Sequence, residues 1–309
     1  MKKLKYLVMA AIAAVVFACG TTRTVPITGR KQNILVSDEQ VLSLSNQEYT
    51  NYMKSAKLST NSANTAMVKR VGQRLATAVE TYLNEHGMAA DAKEYSWEFN
   101  LVQDKSVNAF CMPGGKIVVY EGLLPITQDE ASLAIVLGHE IAHAVAKHSA
   151  EQMSKQIKNQ YGTQILGQVL NAAGVSSSTT QLAQIIAQKG LQFRSLKYSR
   201  DNESEADHMG LIFAAMAGYD PNVAVTFWQR MAQATGSNNQ SDIFSDHPSD
   251  AKRIAAIKQE LPEALTYYKP VKTTTTTKKT TTSTKKKTRT TSKKKTTTSS
   301  KKKTTTRRK

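Results

Sequence analysis

The stretch "LGHEIAHAVAKH" at residues 137–148 contains an H-E-x-x-H string formed by His139, Glu140 and His143. On a helix, residues four positions apart lie on the same face, so both imidazoles can bind one ion. Glu140 lies roughly 100° around the helix from His139. That position is within reach of a water at the ion but off the face that binds it. The string therefore predicts a zinc site with two histidine ligands and Glu140 as a general base.

The residues around this string predict that its helix is buried. They are Ala134, Ile135, Leu137, Ile141, Ala142, Ala144 and Val145. Two solvated histidines on an exposed face are the alternative, and a helix that is apolar nearly all round does not favour it. A capping box with Thr127 at the N-cap and Glu130 three residues later is predicted to begin the helix.

The third metal ligand is predicted on another helix. Ser149 occupies the position six residues after His143, which excludes a third histidine at the spacing that three-histidine peptidase sites use. His148 is about 140° from the ligand face on a continuous helix, and we expect it at the surface.

The segment "SRDNESEAD" at 199–207 supplies the carboxylates. Glu203 and Asp207 share a helix face, whereas Glu205 points elsewhere. One of the pair can bind zinc while the other accepts the second N–H of a histidine ligand. The alternative is a charged first helical turn that only favours the helix dipole.

The order of elements predicts an α+β fold, because helices precede a run of strands and more helices follow it. Helical patterns cover 39–57, 62–86, 202–218, a segment from Asp220-Pro221 to Met231, and a short helix ending at Ile257. Strands are predicted within 95–104, 107–112 and 116–120, the last two joined by a Pro113-Gly114-Gly115 turn. Residues 151–196 are expected to form two helices around a flexible tip, which is well placed as a lid.

The two ends of the chain have their own signals. Three lysines and an apolar run over 7–17 predict a signal peptide at 1–18, and Cys19 follows it as in a lipoprotein signal. A secretory signal with a coincidental cysteine is the alternative. We expect a lipidated N-terminus and spacer at 19–38, a peptidase domain at 39–268 and a disordered Lys/Thr-rich tail at 269–309.

Most of the net charge of +18 comes from the C-terminal tail, since residues 272–309 hold 16 basic and no acidic residues. The tail contains no aromatic residue, which disfavours nucleic acid and favours anionic envelope polymers or lipid headgroups as its partners. Cys19 and Cys111 are the only cysteines, and lipidation of Cys19 leaves none to pair with Cys111. Cys111 is therefore expected to be a small buried residue.

Together these motifs resemble the zinc metallopeptidases related to HtpX and the CAAX prenyl proteases, above all their soluble exported branch, which includes BepA and LoiP. The similarity covers about 25–260 and extends to "VPITGRKQ", "NAFCMPGGKIVVYEGLL", "YSRDNESEAD", "AGYDPNVAVTFWQRM" and "HPSDAKRI". It implies a mainly helical, gluzincin-like zincin domain with a small antiparallel sheet beside the active-site helix. It also implies one zinc per chain, held by His139, His143 and Glu203, with Glu140 as base and Asp207 behind the ligands. Cys111 is a mild departure, where the family usually has another small residue.

The strand before the active-site helix is predicted to dock the substrate, because extended peptides often pair with a sheet edge. Asn108, Ala109, Gly114 and Gly115 are the residues concerned. The alternative for the two glycines is a tight hairpin turn alone. Pairing through the backbone suits unfolded or misassembled envelope polypeptides.

Two further residues, which precede the tail in sequence, are candidates for a role at the site. His247 precedes Pro248 and can be a fourth ligand that locks the site, a donor to the transition-state oxyanion, or a structural loop histidine. Arg253 is expected to brace the acidic 203–207 segment.

These features predict a lipid-anchored zinc endopeptidase for quality control of envelope proteins. It would face the periplasm, at the outer rather than the inner membrane. One alternative is a chaperone or assembly factor whose peptidase activity is latent because His247 locks the zinc. Another is a non-enzymatic surface lipoprotein, which an intact Glu140 disfavours.

Overall fold

A computed structural model of the chain describes residues 21–171, 193, 196–236 and 251–270. All of these residues fall in one compact unit. The predicted signal peptide, Cys19, most of the expected lid tip, His247 and the basic tail lie outside the described residues.

The described chain begins with a hairpin. Strands β1 (Thr21–Thr24) and β2 (Lys31–Ile34) pair antiparallel. The turn between them carries Ile27 and Gly29 with positive φ angles of 65° and 69°. Helices α1 (Asp38–Ser55) and α2 (Ser62–Glu85) follow, as the two N-terminal helical patterns predict.

A three-stranded sheet lies next along the chain, after the single-turn helix α3 (Ala89–Ala92). Its strands are β3 (Glu98–Val102), β4 (Ala109–Met112) and β5 (Lys116–Tyr120), in the order β3-β5-β4. The β4–β5 hairpin is antiparallel as predicted, whereas β3 pairs parallel to β5, so the sheet is mixed.

Six helices complete the described fold and confirm the α+β class. They are α4 (Leu124–Thr127), α5 (Glu130–Val145), α6 (His148–Asn171), α7 (Arg200–Met216), and then α8 (Val223–Gly236) and α9 (Ala251–Thr266). None of the helices in the described ranges is long and apolar enough to cross a membrane.

Three predicted helix boundaries are wrong. The N-cap of α5 is Asp129, whose side chain accepts a hydrogen bond from the Ser132 N–H at 2.7 Å. Thr127 instead ends α4, and Gln128 separates the two helices with a φ of 67°. Helix α8 begins at Val223 rather than next to Asp220-Pro221, and α9 continues nine residues past Ile257 to Thr266.

The core of the fold is the crossing of α5 and α7. Every residue of α5 from Ser132 to Val145 is buried, as the apolar flanks predict. A Cβ on Gly138 would lie 2.7 Å from the Gly210 carbonyl oxygen, and a Cβ on Gly210 would lie 2.7 Å from the His139 nitrogen. The two backbones therefore touch, and this contact brings the H-E-x-x-H string against residues 203–207.

Candidate metal centre

Three side chains from the two crossing helices converge at one point. The Nε2 atoms of His139 and His143 are 3.1 Å apart. The Glu203 carboxylate lies 3.5 Å from the first nitrogen and 3.4 Å from the second. All three residues are buried, and one potential ligand atom from each lies within 4.8 Å of the others. The structure thus brings together the three residues that the sequence predicts as zinc ligands.

The donor chemistry of this group fits zinc. Two imidazole nitrogens and one carboxylate form a set that catalytic zinc sites use, with one position left for water. Burial acts to lower the pKa of His139, but hydrogen bonds to Asp207 and Glu203 raise it to about 9. Burial holds the pKa of His143 well below its ordinary value. Buried carboxylates around a nitrogen pair favour positive charge at this point, which a zinc ion supplies.

Behind His139 the structure places a carboxylate and a guanidinium. The Nδ1 of His139 is 2.9 Å from Asp207 Oδ1, and Arg253 donates to both Asp207 oxygens at 2.7 Å. Burial raises the pKa of Asp207, but the Arg253 charge and the His139 hydrogen bond outweigh it and lower that pKa. An ionised Asp207 only accepts, so His139 Nδ1 carries the proton and its Nε2 is left for the metal.

The guanidinium of Arg253 is itself held in place. It lies over the ring of Trp228 on α8, 3.5 Å from the ring centroid. A cation over an aromatic face at this distance is attracted by the ring, and more strongly where water is excluded. Trp228 has no place in the sequence prediction, because its partner lies on a different helix.

Behind His143 the structure places a second histidine. The Nδ1 atoms of His143 and His148 are 2.9 Å apart, and His148 Nε2 lies 2.9 Å from Glu205. The expectation of a surface position for His148 is wrong, because its side chain is 0% exposed. Helix α5 ends at Val145 and Lys147 has a φ of 54°, so His148 begins a new helix and the helical-wheel angle does not apply.

An aromatic ring covers one face of His143. The Tyr198 ring stacks on it with centroids 4.1 Å apart and planes 23° from parallel. The Tyr198 hydroxyl shares a hydrogen bond of 2.9 Å with Ser149. This stacking limits rotation of the His143 ring, and Tyr198 is a residue that the sequence prediction passed over inside "YSRDNESEAD".

Glu140 lies beside strand β4 and the metal centre. Its side chain is buried. Burial and the Glu140 charge raise the pKa of the Cys111 thiol on β4, which therefore stays protonated and serves as a small buried residue. Burial also raises the pKa of Tyr198, with a contribution from Glu140. The helix that carries Glu140, α5, packs against β4.

The predicted docking residues take two positions. The Asn108 carbonyl accepts from the Tyr120 N–H at 3.0 Å, and Ala109 pairs with Val119. Strand β4 is an outer strand of the sheet. Gly114 and Gly115, both with φ of 85°, form the hairpin turn, and a Cβ on Gly115 would lie 2.5 Å from the Trp97 ring. The hairpin turn by itself therefore explains why glycine occupies these two positions. Substrate docking along β4 stays a prediction.

Comparisons with known proteins agree with this geometry. The sequence profile of peptidase family M48 matches residues 62–261. The chain is 41% identical over 172 residues to the mitochondrial metalloendopeptidase OMA1 of Schizosaccharomyces pombe, covering 55% of this chain and 48% of that protein. It is 31% identical over 244 residues to human OMA1, covering 78% and 46%.

A bacterial relative is similar as well. The chain is 29% identical over 186 residues to the beta-barrel assembly-enhancing protease of Escherichia coli K12, covering 56% of this chain and 37% of that protein. The chain thus spans less than half the length of each of these relatives. Two of the three are mitochondrial, so the comparisons support the metallopeptidase resemblance without singling out its exported bacterial branch.

Proposed function

This chain belongs to peptidase family M48, and we propose that it is a zinc-dependent endopeptidase with Glu140 as its general base. The observation that supports this most is the convergence of His139, His143 and Glu203 beside a buried Glu140. Zinc, when bound by these three residues, supplies a Lewis acid that polarises a carbonyl and makes water nucleophilic near neutral pH.

The protein's own groups have separate tasks in this proposal. Glu140 takes a proton from the attacking water and then gives it to the leaving amine, as a general acid–base group does. Asp207 holds the His139 ring in one orientation and one tautomer. Tyr198 restrains the His143 ring through stacking. Burial of the whole group strengthens each electrostatic contact, because the local dielectric constant is low.

We further propose that the substrates are unfolded or misassembled envelope polypeptides. Strand β4 is an outer strand of the sheet and packs against α5, the helix that carries Glu140. An extended chain can pair with its free edge through the backbone. Backbone pairing tolerates many side chains, which suits unfolded substrates. The Escherichia coli relative is named for assembly of β-barrels, and that name supports envelope proteins as the substrate class.

The location proposed is the bacterial envelope, with a lipid on Cys19 as the membrane anchor and the chain facing the periplasm. The signal-like residues 1–18 support it, whereas the OMA1 relatives are named as mitochondrial. The basic tail would add affinity for anionic polymers or lipid headgroups. Fractionation of cells that express Cys19→Ser tests the anchor: the variant should leave the membrane fraction, and retention there would contradict it.

The activity is tested with the full chain and its Glu140→Gln variant, which preserves shape and removes the base. We expect both proteins to bind one zinc and only the unsubstituted chain to cleave unfolded casein well. Cleavage by the variant should fall by about 10²- to 10⁴-fold. Equal cleavage by the two proteins, or no zinc in either, would contradict the proposal. Zinc without cleavage in either would favour the latent assembly factor locked by His247.

A further inference from the structure

His148 connects the metal centre to the N-terminal hairpin, which lies outside the part of the chain that the family profile matches. We propose that His148 is a positioning residue for the metal ligand His143, and that Glu205 and Arg30 hold it in that role. Zinc affinity would then depend on residues 25–30 of the hairpin turn. This inference rests on the proposed zinc site.

The direction of the hydrogen bonds supports this role. If His143 binds zinc through Nε2, its Nδ1 carries the proton and must donate. The Nδ1 of His148, 2.9 Å away, must then accept, so the proton of His148 sits on Nε2. That nitrogen is 2.9 Å from Glu205, an acceptor. The metal at one end and the carboxylate at the other therefore select a single tautomer for both rings.

Glu205 is fixed from three directions. It accepts from Arg30 Nε at 2.8 Å and from the Thr28 hydroxyl, in addition to His148. Arg30 and Thr28 can only donate to the two Glu205 oxygens in these contacts, so Glu205 is the acceptor that the proton order above requires.

Arg30 also joins the two helices on either side of the site. Its guanidinium makes two hydrogen bonds to Glu151 on α6, of 3.1 and 2.9 Å, while it holds Glu205 on α7. Glu151 is further bound by Asn202 on α7 at 3.0 Å. The hairpin turn therefore fixes the spacing between the helix that begins with His148 and the helix that supplies Glu203.

Packing alone does not explain the two specific partners of the His148 ring. A core histidine needs its ring nitrogens satisfied, and any buried acceptor would do. Both nitrogens of His148 instead connect a metal ligand to a charged carboxylate. Loss of such outer contacts typically weakens metal binding by on the order of 10- to 100-fold.

The first test measures zinc affinity of the full chain by competition with a chromogenic chelator. We expect His148→Ala to weaken binding by on the order of 10- to 100-fold. His148→Asn should weaken it less, because its side-chain oxygen can accept from His143 Nδ1. Met153→Ala is the control, since Met153 is buried on the same helix without a place in the hydrogen-bonded series. Its melting temperature should fall while its zinc affinity stays.

The second test compares two arginines of the hairpin. Arg23 and Arg30 have side chains 33% and 32% exposed, and each pairs with two carboxylates. The partners of Arg23 are Asp38 and Asp91, which lie outside the series that ends at His143. We expect Arg30→Ala to weaken zinc binding by about tenfold, the lower end of the usual effect of outer contacts, and Arg23→Ala to leave it unchanged.

The inference is overturned if His148→Ala keeps the affinity of the unsubstituted chain, or if Arg23→Ala and Arg30→Ala weaken it equally. It is also overturned if Met153→Ala loses as much affinity as His148→Ala, since the effect would then follow stability. Should His148→Ala fail to fold, the zinc affinities of Arg30→Ala and His148→Asn test the inference in its place. Absence of zinc from the unsubstituted chain would instead refute the proposed function, so the two failures are distinguishable.

Discussion

The two histidines of the metal centre are supported in different ways. His139 contacts the Asp207 carboxylate directly. Asp207 is in turn paired with Arg253, whose guanidinium lies over the Trp228 ring. His143 contacts another histidine first and reaches its carboxylate, Glu205, one step later. Both arrangements fix a ring and its tautomer, but one uses a short charged contact and the other a longer series that begins with neutral rings.

The two sides also differ in how exposed their arginines are. Asp207 and Arg253 are 5% and 8% exposed, so their ion pair is shielded from water. On the other side the series ends at Arg30, whose side chain is 32% exposed and can keep part of its hydration. A buried charge left without its partner costs far more than a partly exposed one. Loss of a charge from the Asp207–Arg253 pair is therefore expected to lower the free energy of unfolding more than loss of a charge from the Glu205–Arg30 pair.

Asp207→Asn is expected to have the largest effect on this comparison. The amide oxygen can still accept from His139, but Arg253 loses a buried anionic partner. We expect the free energy of unfolding to fall by about 3–5 kcal/mol, as when one member of a buried pair is removed. Zinc affinity should weaken as well. Urea unfolding monitored by circular dichroism, with zinc titration alongside, measures both.

Glu205→Gln is the matched variant on the other side. The amide oxygen can accept from His148, and Arg30 is partly exposed, so we expect a loss of about 1 kcal/mol. Equal losses for the two variants would break the proposed difference between the sides. A larger loss for Glu205→Gln would reverse it.

A smaller effect is expected from pH, and it has opposite signs on the two sides. Burial, with repulsion from Asp207, raises the pKa of Glu260 on α9 to about 7. The folded state then keeps a proton that the unfolded state loses near pH 4.5, so stability falls as pH rises from 4.5 through 7. The pKa of Glu205 is lowered to about 2, so its contribution is lost only as pH falls from 4.5 towards 2.

Glu260→Gln should therefore raise stability above pH 7 by about 1 kcal/mol, a value reduced for partial exposure. Glu39→Gln on α1 is the control, because Glu39 is exposed and lies on a different helix from Glu260. Thermal unfolding at pH 5 and pH 8 measures the change. An identical pH response in Glu260→Gln and the unsubstituted chain would show that Glu260 contributes nothing to it.

Local spacing predicted much of this centre. His139 and His143 share a helix face over one turn, and Glu203 with Asp207 repeats that spacing on α7. Such relations need only a helix, and a helix follows from the apolar flanks and the caps. Which of the two carboxylates faces the metal depends on how α7 lies on α5. Spacing alone left that choice open, and the family resemblance supplied it.

Relations across a break in the helix could not be found in this way. The position of His148 depends on the turn at Lys147, which has a φ of 54°. The hydrophobic periodicity of the sequence does not reveal such a turn. Arg30 meets Glu205 across 175 positions of sequence. The signal present was "VPITGRKQ", a segment that the family resemblance shares but that carried no assigned role. The parallel pairing of β3 with β5 was likewise outside local patterns, since it depends on tertiary contact.

The touching backbones of Gly138 and Gly210 have a consequence for how this family can change in length. This contact fixes the distance between two helices whose metal-binding residues are about 60 positions apart in sequence. The distances between the metal ligands therefore do not depend on the length of the intervening chain. Doubling a flexible connection costs only about 0.6 kcal/mol of closure entropy. An insertion or deletion between the helices is therefore expected to leave the contact of the two glycines, and with it the spacing of the metal-binding residues, unchanged.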